Sequence, residues 1–129
     1  DRIAASIAYL RAKGITQVAI VSHSVGASMA DAYLARPGAL PIDAWAPVGM
    51  FGAFAVPPKE PVLDTIAETE IALVRESAPA RLPTLPKDAC SRQVVIAGTD
   101  HYFDNRQKEL VTAIAAFLGR AFNGRCQVR

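Results

Sequence analysis

The chain has 129 residues, a length that fits one domain, here taken as residues 1–129, around a single core. Half of it is hydrophobic (51%) and a fifth charged (20%), which excludes a disordered chain. A net charge of +2 with scattered basic residues leaves no footprint for nucleic acid. The longest apolar run, residues 44–56, is too short for a bilayer and is broken by Pro and Gly, so no membrane span is expected. The opening at Asp1, without Met or a signal-peptide pattern, reads as a processed chain or a piece of a longer one.

Taken in chain order, Ile3, Ile7 and Leu10 recur at helical spacing, and Lys13-Gly14 stops that helix. Residues 17–22 are short, apolar and rich in β-branched side chains, as in a strand buried on both faces. A helix follows from about Val25, with Met29, Tyr33 and Leu34 on its apolar side and Pro37-Gly38 at its end. Residues 42–49 read as a second strand and 60–68 as a third, leading into a short helix at 71–77. Residues 77–91, dense in proline, read as a loop, and 93–98 as the fourth strand. The last helix has a capping-box-like start at Asp104 and Gln107, and its apolar stripe is Leu110, Val111, Ile114, Phe117 and Leu118. Strands alternating with helices imply an α/β fold, a mainly parallel sheet of about four strands with helices on both faces.

The join at Ser22-His23-Ser24-Val25-Gly26 carries the chemistry. A serine hydroxyl becomes a nucleophile when it is exposed, held near a base and placed beside backbone N–H groups that can meet an oxyanion. A tight strand-to-helix turn does this for Ser24 and makes the Val25 N–H an oxyanion donor. Such a turn is expected to be crowded, with small residues two before and two after the serine, here Ser22 and Gly26. The same pattern also suits a plain N-cap. His101, just after the fourth strand, would emerge on the same sheet edge as Ser24 and serve as base. His23, its neighbour in the turn, reads as a local wall or hydrogen-bonding residue. The orienting carboxylate is expected at the end of the third strand, where Glu70 is preferred and Asp64 and Glu68 are alternatives.

These residues give the chain a resemblance to the C-terminal half of the α/β-hydrolase fold, the superfamily of serine esterases and lipases. Residues 22–26 look like its nucleophile elbow, 60–70 like its seventh strand and acid loop, and 94–103 like its eighth strand with the catalytic histidine. The resemblance implies a serine carboxylester hydrolase acting through Ser24, His101 and Glu70. Two separated histidines and two distant cysteines have no metal-ligand spacing, so neither metal nor cofactor is expected. Two small departures are Ser22 for the usual Gly and Glu for the commoner Asp. A larger one is the absence of anything like the first half of that fold, which leaves the elbow strand at a sheet edge. A homodimer or higher oligomer is therefore expected.

Met50, Phe51 and Phe54 either wall a pocket for a small or medium acyl group, with Tyr102 beside the base, or belong to the core. Cys90 and Cys126 should return near each other, as a disulfide favouring an extracytoplasmic compartment or as two buried thiols. The alternative function is a hydrolase-like module that binds or assembles without turnover.

Overall fold

The computed structural model describes residues 2–127. Helix α1 (Arg2–Ala12) leads to β1 (Ala19–His23), α2 (Val25–Leu34), β2 (Ala44–Val48) and β3 (Leu63–Thr69). Then come α3 (Ala72–Arg81), a 3-10 turn at Leu82–Thr84, β4 (Arg92–Asp100) and α4 (Gln107–Phe122). The strands pair in parallel in the order β1-β2-β3-β4, so order in space follows order in sequence.

Strand alternation sorts the core into two faces. On one, Trp45 packs with Ala27 and Ala30 of α2 and with Met50, Phe54 and Val62. Ile7 of α1 joins the same side against Tyr33 and Val18. On the other, Ala44, Ala46 and Leu63 are small or flat enough for α4 to settle its Phe117 among them. Cys90 and Cys126 are joined by a disulfide in that second cluster, tying the start of β4 to the chain beyond α4. Pro47 in β2 has no N–H to give to the ladder, and β2 meets β3 through Trp45–Val62 and Val48–Thr65.

Several expectations shift. Helix α3 does not stop at residue 77 but runs through Pro79 to Arg81. An interior proline costs a helix about 3 kcal/mol. Against this, Val74 and Ala78 are buried, and the Arg81 guanidinium grips the Asp64 carboxylate from two nitrogens at 2.8 and 3.2 Å. Helix α4 begins at Gln107 with Arg106 at its N-cap and no side-chain cap, so Asp104 lies before the helix rather than capping it. Met29 and Val111, expected on apolar sides, are 61% and 62% exposed. The α1 helix covers the Tyr33 end of α2, and Met29, one turn nearer the elbow, stands clear of it.

β1 is an edge strand. Its Val21 is half exposed, and a groove of about 310 Å³ runs between it and α1, lined by Ile3, Ile7, Leu10 and Val18.

Candidate active site

The elbow comes first. β1 ends at His23 and α2 begins at Val25, so Ser24 alone makes the turn. Its φ of 56° and ψ of −123° lie where a non-glycine residue is strained, at a cost on the order of 1–3 kcal/mol. The neighbouring strand holds it there, since the Ser24 N–H donates to the Val48 carbonyl at 2.8 Å. The Ser24 side chain does not cap α2, which leaves its hydroxyl for other partners. The N–H groups of Val25 and Gly26 open the helix beside it. The expected crowding holds on one side of the turn only. Ser22 Oγ accepts from the Trp45 indole N–H at 3.0 Å, whereas a Cβ built on Gly26 would meet nothing within 4 Å. The outer side of the first turn of α2 faces open space, as the 60% exposure of Val25 also shows.

The three chemistry-bearing side chains form one row. His101 Nδ1 and Glu70 Oε2 are 2.8 Å apart, and His101 Nε2 and Ser24 Oγ are 2.8 Å apart. A carboxylate only accepts, so Nδ1 donates to Glu70, and the bare Nε2 accepts from the serine hydroxyl. Glu70 and His101 are both 5% exposed. The Glu70 carboxylate is fixed on both oxygens, Oε1 accepting from the Ala67 N–H at 3.1 Å and Oε2 from the Ile71 N–H at 3.3 Å. Its place at the mouth of α3 adds the favourable end of the helix dipole.

The other acids are engaged elsewhere. Asp64 is fully buried and binds Arg81 and the Gln93 amide. Glu68 is exposed and accepts from the Gly98 N–H at 2.7 Å, where β4 slips register against β3. Met50 and Phe54 belong to the core around Trp45, being 1% and 9% exposed. Phe51 stays half-buried beside α2, its carbonyl 3.5 Å from Ser28 Oγ, and Tyr102 is 68% exposed with its ring edge-on to His101. His23 turns toward the base, its Nε2 lying 2.8 Å from the His101 carbonyl oxygen.

Two features escaped sequence reasoning. Gly49, just past β2, has φ +57°, and a Cβ there would lie 2.8 Å from His101 Cε1 and 2.9 Å from Nδ1. Arg81 reaches past Asp64 to the Gly52 carbonyl at 2.8 Å, and Gly52 N–H donates to Ser77 Oγ, so α3 pins the segment after β2. A glycine directly after an apolar strand was the available signal for the first. The second had none, because it joins residues far apart in sequence. A cleft of about 720 Å³ at the far end of α2, lined by Leu34, Leu40, Trp45, Val56 and Glu60 among others, includes none of Ser24, Glu70 and His101. Among the described residues no cluster of His, Cys, Asp and Glu is arranged to hold a metal ion.

No protein-family model and no curated protein matches this chain. Solved structures do match it in fold. A candidate α/β hydrolase of unknown function from Agrobacterium tumefaciens superposes with a TM-score of 0.78 at 15% identity, over 96% of this chain and 60% of its own. A candidate non-heme bromoperoxidase from Mycobacterium tuberculosis gives 0.72 at 12%, over 90% and 72%. The esterase domain of a Rhodothermus marinus protein gives 0.69 at 14%, over 93% and 67%. This chain thus spans 60% of the length of the Agrobacterium protein. Identities this low speak of fold alone. The chain has a partial α/β-hydrolase fold, four parallel strands with helices on both faces.

Proposed function

We propose that this chain is a serine hydrolase that cleaves carboxylic esters of small to medium acyl groups. The observation that carries the reading is the continuous row Ser24–His101–Glu70, with 2.8 Å at each link. In this reading Ser24 Oγ attacks the ester carbonyl while His101 Nε2 takes its proton. Glu70 keeps the imidazole in the right tautomer and stabilises the imidazolium. The oxyanion forms beside the first turn of α2, where the Val25 N–H donates to it. The imidazolium then protonates the leaving alcohol. Water, activated in turn by His101, releases the acid from the acyl-enzyme. Phe51 and Tyr102 offer apolar surface for the acyl or alcohol group. The Cys90–Cys126 disulfide fits an oxidising compartment outside the cytoplasm. Pairing of two chains remains part of the proposal, since β1 leaves an edge open.

A second reading has its own support. The chain spans only part of its structural neighbours, which suits a hydrolase-like module that binds without turnover. Hydrolysis of a p-nitrophenyl acyl series by the purified chain separates the two, with Ser24→Ala beside it. The esterase reading expects turnover that falls at least ~10³-fold in the variant. A folded wild-type chain no faster than Ser24→Ala leaves the binding module.

A further inference from the structure

The row of Ser24, His101 and Glu70 gives His23 no task, yet the structure engages it. β1 and β4 are the two edges of the sheet, with β2 and β3 between them. Ser24 and His101 therefore leave the sheet roughly 14 Å apart, at about 4.8 Å per strand spacing. The chain beyond β4 has to fold back over the strand ends before its imidazole can reach Ser24. The turn closes on itself, Phe103 N–H donating to the Asp100 carbonyl at 3.1 Å and Tyr102 N–H to Asp100 Oδ1 at 3.0 Å, and two more hydrogen bonds anchor it and the end of β4 to other strands. Thr69 Oγ1, at the end of β3, donates to the Thr99 carbonyl at 2.7 Å. His23 Nε2, at the end of β1, lies 2.8 Å from the carbonyl oxygen of His101 itself.

A carbonyl only accepts, so Nε2 of His23 carries the proton and donates it. The two histidine rings lie 4.9 Å apart between centroids, and Phe103 meets the His23 ring edge-on at 6.3 Å. Phe103 has a φ of 57°, a backbone state uncommon for a bulky residue, and is 2% exposed. The base thus sits two residues before a backbone bent against preference, and its own carbonyl is tied to the nucleophile's strand.

We infer that His23 is a positioning residue, whose Nε2–H holds the main chain of His101 so that the imidazole stands between Glu70 and Ser24. Its effect on turnover rests on the hydrolase reading. Its effect on the His101–Glu70 hydrogen bond needs no substrate, and the two can be read separately.

The test uses the full chain with His23→Phe, which keeps a ring and loses the donor. Beside it stands His23→Gln, whose amide nitrogen has the reach of Nε2. His23→Asn, with a donor too short to arrive, replaces the Phe variant if that one does not fold. Two readouts are taken, kcat and KM on a p-nitrophenyl ester and the NMR signal of the His101 Nδ1 proton bound to Glu70. His23→Phe is expected to lower kcat about ten- to a hundredfold with KM held within about twofold. It should also broaden or abolish the proton signal. His23→Gln should restore both. Retention of kcat and signal in His23→Phe overturns the inference, as does equal loss in the Phe and Gln variants at native melting temperature. If the wild type turns nothing over, the hydrolase reading falls and the proton signal alone decides. Lost in Phe and kept in Gln, it supports the inference. Kept in Phe, or missing from the wild type, it overturns it.

Discussion

Gly49→Ala isolates the clearance that the row depends on. The new Cβ would lie 2.8 Å from His101 Cε1, 2.9 Å from Nδ1 and 3.3 Å from Glu70 Oε1, where ordinary contact starts at 3.4 Å. The imidazole is 5% exposed and held at both nitrogens, so it must retreat by roughly 0.6 Å against packed neighbours. A misplacement approaching 1 Å costs on the order of a hundredfold in rate, so kcat should drop about ten- to a hundredfold. The φ of +57° adds a backbone cost of about 1–2 kcal/mol for alanine, a fall in Tm of roughly 3–10 °C for a domain of this length. Gly38→Ala is the matched control, with φ +79° and nothing within 4 Å of a new Cβ. It should show only the backbone part of that thermal loss and keep full activity. The assay is kcat on a p-nitrophenyl ester with Tm measured on the same samples. A Gly49→Ala chain as active as Gly38→Ala would refute the argument that the imidazole occupies that space.

Arg81→Met leaves the fully buried Asp64 carboxylate with the Gln93 amide and no cation, and should cost about 3–5 kcal/mol. A Tm within 5 °C of wild type would contradict it, since roughly 10 °C or more is expected. Removing the Cys90–Cys126 bridge, which spans 36 residues, should cost about 3–4 kcal/mol by loop closure, read as the urea midpoint of Cys90→Ser/Cys126→Ser. An unchanged midpoint would mean that the bond does not constrain the chain in solution. Burial raises the Asp31 carboxyl above its ordinary 3.8, against the opposing pull of the Ala55 N–H and the Arg81 charge. The folded chain therefore holds that proton more tightly than the unfolded one, and stability from Asp31 is full below pH 3.8 and lost as pH rises through the folded value. Asp31→Asn should be the more stable chain at neutral pH, with the gap closing in acid, and a gap that widens in acid would reverse the sign of the argument.

What sequence could disclose here was periodicity and punctuation. The alternation of apolar runs and helical stripes places each strand and helix within a few residues, because β2 and the inner faces of α2 and α4 are built from burial itself. Proline density at residues 78–81 suggests a loop, where the chain is helical. The helix there is held by a pair 17 residues apart, Arg81 and Asp64, that no local window contains. Asp64 reads as a spare acid for the same reason, since its partner Arg81 lies 17 residues away. The choice of Glu70 over Glu68 rested on where the strand gives way. The register slip between Ala67 and Thr69 is the physical event behind it, sending Glu68 to β4 and Glu70 to His101. The burial of Met50 and Phe54 is not legible in sequence, because large apolar residues after a strand suit a pocket wall and a core equally well.

The order of the row explains why β2, which contributes no acid, base or nucleophile, matters to the site. Along the sheet the strand ends carry Ser24, Gly49, Glu70 and His101 in turn, but in the hydrogen-bonded row His101 stands between Ser24 and Glu70. The histidine must therefore leave the far edge, pass over the end of β3 and come down where β2 ends. That space is free because residue 49 has no side chain and because the Gly49 N–H is drawn down to the Thr65 carbonyl at 2.8 Å, keeping its backbone low. A parallel sheet with this strand order and any other residue at 49 could keep its elbow and its acid and still fail to bring the base between them.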